Sequence, residues 1–394
     1  MISLARYAAV FAHPELRAAV AASVLGRLPI GITGLSILLL VQRATGSFAE
    51  SGAMTAAYIG GLASIAPLLG RLIDRSGPRR VLSACALVFP MALGALIFAM
   101  RIAPSGMLNL AFAFAAGASF PPITVCMRTF FRQRLRDESL LGAAYSLESV
   151  LIEMIFIAGP MLVALLVALA SPEAAVLLAA SCAGLGTVLF LRSPALVHWR
   201  LDAVTDKTSF LGPLAERDFT ALLAVVLGYS IAFGLVEIGV TAYASLAGRP
   251  AFAGILLALM SAGSVMGGLA YGSRTWGPPL ARQFAIALGL MGIGIALLAP
   301  TTNAWLFAFL SAVAGIVMAP ALTIQSMLVT KTAPPHHATE AFTWSSTGLL
   351  SGVGLGMAVG GWLIEQWGWR ATFAAGSVAA LSSAALAMNL RVRH

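Results

Sequence analysis

The chain has 394 residues, of which 59% are hydrophobic and 10% charged, and its mean hydropathy is +0.92. This composition excludes an ordinary soluble domain, in which about a quarter of the residues are charged. The formal net charge of +9 is also typical of nucleic-acid-binding proteins. Here, however, the basic residues are concentrated in alternate loops between apolar runs, which indicates membrane topology instead.

Apolar runs long enough to cross a membrane occupy most of the sequence. A helix needs about 20 apolar residues to cross about 30 Å of hydrocarbon, and lipid offers no hydrogen-bond partners to the backbone. The sequence therefore predicts an all-α membrane protein. Twelve spans are predicted, at roughly 18–41, 51–73, 81–101, 107–130, 139–168, 172–191, 218–244, 251–272, 281–299, 304–329, 340–365 and 371–390.

The longest polar interruption, 192–217, falls between the sixth and seventh spans. It divides the chain into a six-helix bundle over 1–191 and a second six-helix bundle over 218–394, joined by an inter-bundle loop. Internal similarity supports the division, because Gly117–Pro122 in the fourth span resembles Gly315–Pro320 in the tenth. Two duplicated bundles can rock about a site at their interface and expose it to each side of the membrane in turn.

The Lys and Arg residues predict the orientation of the chain. Of 24 such residues, Arg27 lies within a span and the others divide unequally between the two sides. The loops of one side contain only Arg43, Arg101, Arg249 and Arg370. Because cytoplasmic loops carry an excess of Lys and Arg, both termini and the inter-bundle loop are predicted to be cytoplasmic. The amino terminus lacks the apolar core and cleavage site of a signal peptide, so the first span is expected to be retained.

The loop after the second span carries the most specific motif, Gly70-Arg71-Leu72-Ile73-Asp74-Arg75-Ser76-Gly77-Pro78-Arg79-Arg80. Gly70 permits close approach of a neighbouring span, and Gly77 allows a tight turn. Three basic side chains are expected to pair with Asp74 or with lipid phosphate: Arg75, Arg79 and Arg80. A basic topology loop without further function is the alternative.

The motif resembles the Gly-x-x-x-Asp-Arg-x-Gly signature of the major facilitator superfamily of transporters. The resemblance implies two pseudo-symmetric six-helix bundles that work by alternating access. It also implies that Asp74 docks on the amino-terminal end of span eleven, near Thr339, and holds the cytoplasmic side shut, an attraction that the helix dipole makes reasonable. Glu340 would partly offset this attraction, and Pro78 stands where the family usually has a basic residue.

Charged residues inside the predicted spans are further candidates, because each costs about 3 kcal/mol at mid-bilayer. Arg27 in span one and Glu148 in span five both lie about 14 Å from the cytoplasmic end, so an ion pair between them is plausible. Glu153 lies five residues beyond Glu148 and cannot share its face of the helix. We expect a cavity-facing glutamate to take up protons, or Arg27 to bind an anionic substrate group; a structural salt bridge is the alternative.

The second bundle offers candidates with weaker signals. Tyr229 corresponds to Arg27 in the duplicated half, and it is expected to line a cavity with Tyr243, Gln325 and Trp344 unless these are core residues. Glu237, late in span seven, is either a gate residue or an interfacial carboxylate that reaches water.

Two polar clusters in the loops are expected to have simpler roles. The basic cluster Arg128, Arg132, Arg134 and Arg136 is expected to contact phospholipid on the cytoplasmic side. His336 and His337 are expected to form a solvated pair in a loop rather than a metal site.

The choice of transported substrate and direction depends on partial signatures. The drug:proton antiporters of the superfamily usually carry an Arg in span four, where this chain has Ala113. They also carry Gly-Pro followed by a Gly pair in span five; Gly159-Pro160 is present, but 161–164 contains no glycine. We expect proton-coupled efflux of a small amphipathic or polar compound. The alternatives are proton-linked uptake of a small organic anion bound by Arg27 and, in another class, a membrane receptor or lipid flippase.

No enzyme signature is present in the sequence: it contains no Walker loop, no Gly-x-Ser-x-Gly elbow and no His-Glu-x-x-His. Cys85, Cys126 and Cys182 fall in separate spans and lack metal-ligand spacing. We therefore expect no catalytic activity, cofactor, metal or nucleic-acid partner. The expected partners are a small-molecule substrate, protons and the lipid bilayer, and the protein is expected to be a monomer in the bacterial cytoplasmic (inner) membrane.

Overall fold

The computed structural model describes residues 5–46, 48–104, 106–193, 196, 199, 212–249 and 252–390. Most of the predicted inter-bundle loop, 192–217, lies outside these ranges. Within them, the chain forms α-helices and two short 3-10 turns, Gly212–Ala215 and Pro335–His337.

The helices follow one another with short connections. Those of the first half are α1 (Ala5–Ala12), α2 (Pro14–Arg27), α3 (Pro29–Thr45), α4 (Phe48–Ser76), α5 (Pro78–Ile102), α6 (Met107–Ala118), α7 (Ile123–Arg134), α8 (Glu138–Leu169) and α9 (Pro172–Leu191). Those of the second half are α10 (Arg217–Leu246), α11 (Phe252–Gly272), α12 (Leu280–Leu298), α13 (Ala304–Gly315), α14 (Met318–Thr332), α15 (Ala338–Trp367) and α16 (Trp369–Ala387).

Eleven helical stretches of the described residues are long and apolar enough to cross a membrane. They coincide with the first eleven predicted spans, and the twelfth prediction, 371–390, coincides with α16. The prediction of an all-α membrane protein is therefore confirmed. The agreement has a simple cause, because lipid leaves the backbone no hydrogen-bond partners except those within its own helix.

Three of the spans are broken near their middle by proline. The first span ends as α2 at Arg27 and resumes as α3 at Pro29. In the fourth span α6 ends at Ala118, because the ring of Pro122 would clash with the Ala118 carbonyl in a continuous helix. In the tenth span the break comes just before Pro320. Proline alone does not suffice, since Pro67, Pro90 and Pro160 lie inside continuous helices. The breaks of the fourth and tenth spans occupy the two similar segments noted in the sequence.

Glycines bring α15 into backbone contact with α10. A Cβ atom at Gly356 would lie 2.2 Å from the Ile231 carbonyl oxygen, and one at Gly352 would lie 2.6 Å from that of Leu227. Gly354, on the same helix, has nothing within 4 Å of a Cβ position. Small residues therefore allow close helix packing at two positions of this span, and the effect does not extend to every glycine.

This difference gives a matched test of helix packing. Gly356→Ala should destabilise the detergent-solubilised protein by about 1–3 kcal/mol, because the methyl group forces α10 and α15 apart. Gly354→Ala should leave stability unchanged or slightly raised, since Ala favours helix more than Gly does. Thermal unfolding followed by tryptophan fluorescence measures both, and equal melting temperatures for the two variants would contradict this account.

Candidate transport site and gate

The two halves of the chain meet at the end of the bundle that carries the loop between α4 and α5, which we call the motif end. A Cβ atom at Gly70 would lie 2.4 Å from Thr343 Oγ1 and 2.9 Å from Glu340 Cα, both on α15. Gly70 therefore lets helices of different halves touch, as the sequence predicted. Gly77 adopts a φ of 82°, in the region that favours glycine, which confirms the predicted tight turn.

Asp74 connects α4 to the first turn of α15. Its Oδ1 accepts a hydrogen bond from the Thr339 N–H at 3.0 Å, and its Oδ2 accepts one from the Glu340 N–H at 2.8 Å. These N–H groups have no partner within the helix and carry the positive end of the helix dipole, so a carboxylate is well suited to bind them. The docking that the resemblance implied is present in the structure.

Glu340 does not act against this contact as the sequence analysis expected. Its buried carboxylate lies 2.6 Å from Arg71 Nη2, which offsets its charge, and 3.2 Å from His337 Nδ1. His337 is buried beside Glu340, and the prediction of a solvated histidine pair is therefore wrong for His337.

The basic residue that matters at this contact is Arg71, which the sequence analysis passed over. The other three arginines of the motif are exposed and, within the described ranges, do not pair with Asp74: Arg75, Arg79 and Arg80. Of the two partners expected for them, Asp74 is not the one they contact, because its carboxylate binds the α15 amides at the interface between the halves. Pairing with lipid phosphate stays a prediction.

Further hydrogen bonds hold the motif end shut. They join the hydroxyls of Thr129 and Thr339 at 3.2 Å, the hydroxyls of Tyr145 and Thr330 at 2.8 Å, and Arg132 Nη2 to the Ala333 carbonyl at 2.9 Å. The amino-terminal helix α1 takes part as well, since the Tyr7 hydroxyl lies 3.1 Å from the Gly268 carbonyl oxygen and 3.0 Å from that of Leu269. The structure is therefore closed at the motif end.

Arg27 and Glu148 form the expected ion pair. Arg27 Nη1 lies 3.0 Å from both carboxylate oxygens of Glu148, and each side chain is only 1% exposed. Arg27 is the last residue of α2, two residues before the Pro29 that begins α3. Two hydrogen-bond donors of Arg27 stay unpaired, because no described residue accepts a hydrogen bond from its Nε or Nη2.

Arg128 is a functional candidate that the sequence analysis missed. It was expected to contact phospholipid, but its side chain is only 7% exposed, and no described residue accepts a hydrogen bond from its Nε. The charges of Glu148 and Arg27 both act on it, so the three groups form one cluster. The available signal was its depth: Arg128 lies about 9 Å before the end of α7 at Arg134, too deep for a lipid headgroup.

Two of the other three arginines of that basic cluster have protein partners. Arg134 donates to Glu15 at 2.8 Å, and Arg132 belongs to the contacts that close the motif end. Arg136 is exposed, as a residue in contact with lipid headgroups would be.

Tyr229 lies in the protein core rather than on a cavity wall. Its hydroxyl donates to Gln325 Oε1, and Gln325 Nε2 donates to Ser345 Oγ at 2.6 Å. Tyr243 is likewise buried, stacked on Phe307 with ring centroids 4.1 Å apart. In the closed arrangement seen here both tyrosines have the core role, which the sequence analysis left open beside the cavity role, and Tyr229 is within electrostatic range of Arg128. Trp344 is half-buried, and no described residue accepts from its indole N–H.

Glu153 lies apart from the arginine cluster, at the contact between α8 and α11. It is 9% exposed, and its Oε1 accepts a hydrogen bond from Ser264 Oγ at 2.9 Å. Ser264 Oγ in turn accepts from the Ala319 N–H at 2.9 Å, next to the break in the tenth span. Glu153 thus belongs to the first half but is bonded by the second. Glu148 and Glu153 face different neighbours, as their spacing predicted.

Glu237 lies on α10 and is exposed. It takes part in no ion pair within the described residues. Its two predicted roles, gate residue or interfacial carboxylate, stay predictions.

The docking of Asp74 gives a test of the gate. In a protein whose native cysteines are replaced by Ala, Thr129→Cys places a thiol in the closed contact, where an impermeant maleimide reports opening. Asp74→Asn should speed labelling about fivefold, because losing a charged helix cap shifts the closed state by about 1 kcal/mol. Equal labelling rates with and without the Asp74→Asn substitution would show that the motif sets the membrane topology and does not stabilise the closed state.

Asp137 supplies the matched control for this substitution. Its side chain caps α8 in the same way, accepting hydrogen bonds from the N–H groups of Ser139 and Leu140. These contacts lie within the first half and do not connect it to the second. The Ser139 hydroxyl and amide hold the pKa of Asp137 below its usual range, so it is charged at neutral pH. Asp137→Asn should therefore leave the labelling of Thr129→Cys unchanged.

The arginine cluster predicts unequal effects of removing its charges. Glu148→Gln leaves two buried arginines without a carboxylate and should destabilise the protein by about 3 kcal/mol or more. Arg27→Met should cost less, because Glu148 keeps Arg128 nearby, and the double variant should recover part of the loss. Chemical or thermal unfolding in detergent measures these differences. As a control, Arg134→Met removes one partner of a half-exposed ion pair and should change stability by less than about 1 kcal/mol. If the effects of Glu148→Gln and Arg27→Met are additive, the two side chains are not energetically coupled.

Comparison with known proteins assigns the family. A family model for the Major Facilitator Superfamily matches residues 19–344 and 280–394. No curated protein matches the chain. Among solved structures, the human organic anion transporter MFSD10 (TETRAN) is 19% identical, with 94% of this chain and 99% of that chain covered and a TM-score of 0.72.

Two further solved structures share the fold. A bacterial homologue of the iron transporter ferroportin in an outward-facing state is 14% identical, with 95% and 98% coverage and a TM-score of 0.75. The E. coli fucose:proton symporter FucP is also 14% identical, with 96% and 99% coverage and a TM-score of 0.73. Since the family model matches nearly the whole chain, this protein belongs to the Major Facilitator Superfamily and is a membrane transporter by family.

Proposed function

We propose that the chain is a secondary transporter that works by alternating access and exchanges protons bound at Glu153 for a small amphipathic or polar compound carried outwards. The observation that carries the proposal is the position of Glu153. Its carboxyl is buried in the first half of the chain and is hydrogen-bonded by Ser264 of the second half. A group placed there changes its surroundings whenever the two halves move.

The coupling follows from the energetics of burial. Within the described residues Glu153 has no cationic partner, and its polar neighbours are the hydroxyls of Ser264 and Ser261. A buried carboxylate without a cation is costly, so the closed contact favours the protonated, neutral form. When α8 and α11 separate, water reaches Glu153 and favours the ionised form. Proton binding thus favours closure at the motif end, and opening favours proton release.

The contacts around Asp74 would set the balance between the two conformations. The excess of Lys and Arg on the side of the motif loop supports a cytoplasmic location for the motif end. On this assignment the present structure is closed to the cytoplasm. Opening at this end would release protons inwards, which is the direction expected of proton-driven efflux.

The alternative, uptake of an organic anion bound by Arg27 alone, has less support. Arg27 is already neutralised by Glu148 at 3.0 Å, so it offers an incoming anion hydrogen-bond donors but no free charge. No observation favours a receptor or a lipid flippase over a transporter.

The role of Glu153 is testable without knowing the substrate. Labelling of Thr129→Cys, normalised to the rate for the denatured protein at each pH, should slow as the pH falls, because protonation favours the closed motif end. Glu153→Gln, which imitates a permanently protonated carboxyl, should keep the labelling slow at every pH. Once a substrate is known, the same variant in proteoliposomes should lose transport driven by a pH gradient while retaining substrate exchange.

Glu237→Gln serves as the comparison, since it makes the same change at an exposed carboxyl. It should keep the pH dependence of the wild-type protein. If labelling of the Glu153→Gln variant still depends on pH, Glu153 is not the proton site. If Glu237→Gln removes the pH dependence, Glu237 is the proton site instead.

A further inference from the structure

We infer that the transported compound is a small organic anion, and that Arg128 together with Arg27 binds its charged group when the motif end opens. This inference rests on the proposed alternating-access function and names its substrate class. It assigns to Arg128 a role in substrate binding, and to the Arg27–Glu148 pair a place beside it.

The first step is the charge balance of the cluster. Arg27 and Arg128 are 1% and 7% exposed, and the carboxylate that pairs with Arg27 at 3.0 Å and acts electrostatically on Arg128 is that of Glu148. The other ionisable groups that act on Arg128 are the neutral phenols of Tyr145 and Tyr229. The cluster therefore buries one positive charge in excess, and an anion that joined it would lower the cost of burying that charge.

The second step is the supply of free donors. Within the described part of the chain, Arg27 Nε, Arg27 Nη2 and Arg128 Nε are buried and have no acceptor. A purely structural ion pair would be expected to use its donors, because each unsatisfied buried group is costly. Guanidinium groups bind carboxylate, phosphate and sulfonate groups through two parallel N–H bonds. The free donors and the excess charge thus call for the same kind of ligand.

The third step concerns access. Next to Arg128 on α7, Thr129 is bonded to Thr339 of α15, and Tyr145, whose hydroxyl donates to the Arg128 carbonyl, is bonded to Thr330 of α14. The bonded partners Thr339 and Thr330 belong to the second half of the chain. Separation of the halves at the motif end would therefore uncover Arg128, and the anion would enter from that side.

The neighbouring side chains indicate the rest of the ligand. The ring of Tyr145 lies between those of Phe131 and Phe342, with centroid distances of 6.4 and 6.0 Å. Phe342 belongs to the second half, so these rings would part when the motif end opens. An apolar or aromatic body on the anion would replace the contacts that they lose, which favours an amphipathic organic anion over a bare inorganic one.

The experiment is a thermal-shift comparison on the purified full chain. The probes are benzoate, naphthalene-2-sulfonate and phenyl phosphate, each paired with a neutral analogue (benzamide, naphthalene-2-sulfonamide and phenol), with sulfate as the inorganic anion. Because a ligand that binds only the folded protein raises its melting temperature, at least one organic anion should stabilise the wild-type protein more than its neutral partner does. In Arg128→Gln the apparent affinity should fall about tenfold or more, as expected for losing a charged hydrogen bond.

Arg17→Gln is the control, since it removes an exposed charge from the helix that carries Arg27 and should leave the shift unchanged. Shifts that are equal for anions and neutral partners, absent for every anion, or unaffected by Arg128→Gln would each overturn the inference. A shift with sulfate as large as with the organic anions would overturn the organic part. These outcomes do not touch the pH-dependent labelling that tests Glu153, so the two proposals fail separately.

Discussion

The absence of water inside the bilayer is the constraint on which the rest of this structure depends. Every polar group in the hydrocarbon region must find its partner within the protein, which forces the backbone into helices and makes each intramembrane charge costly. Where the helices break, at Pro29, Pro122 and Pro320, backbone groups are released inside the bundle. The candidate residues lie near these breaks: Arg27 directly precedes one, Arg128 follows the second, and Glu153 connects through Ser264 to the third.

The same constraint explains how closure and charge are linked. The motif end is held by polar contacts between the halves, among them Asp74 on the α15 amides and Arg71 on Glu340. Polar contacts of this kind exchange readily for water when the halves separate, so they lower the cost of opening the motif end. Glu153 and Arg128 are buried by the same closure. A proton at one and an anion at the other are therefore expected to act on a single equilibrium.

The arginine cluster shows why pairing and function need not be alternatives. Glu148 neutralises one arginine but two are present, so the cluster is partly structural and partly unsatisfied. A structural pair alone would leave no excess charge, and an isolated arginine would be too costly to bury in the closed state. If Arg128 binds an anion as we infer, the Arg27–Glu148 pair keeps the cost of the closed state low while the second guanidinium retains an attraction for that anion.

The sequence by itself determined the twelve spans, the Gly77 turn, the docking of Asp74 implied by the motif and the depth match of Arg27 with Glu148. These depend on hydrophobic length and on residues close together in the chain or equally deep in the membrane. Only the tertiary structure decided that Arg71 rather than Arg75, Arg79 or Arg80 meets the second half, that Tyr229 is buried, and that Arg128 lies in the core. Those outcomes depend on which helix face meets a partner from the other half, and periodicity in a uniformly apolar span does not indicate a face.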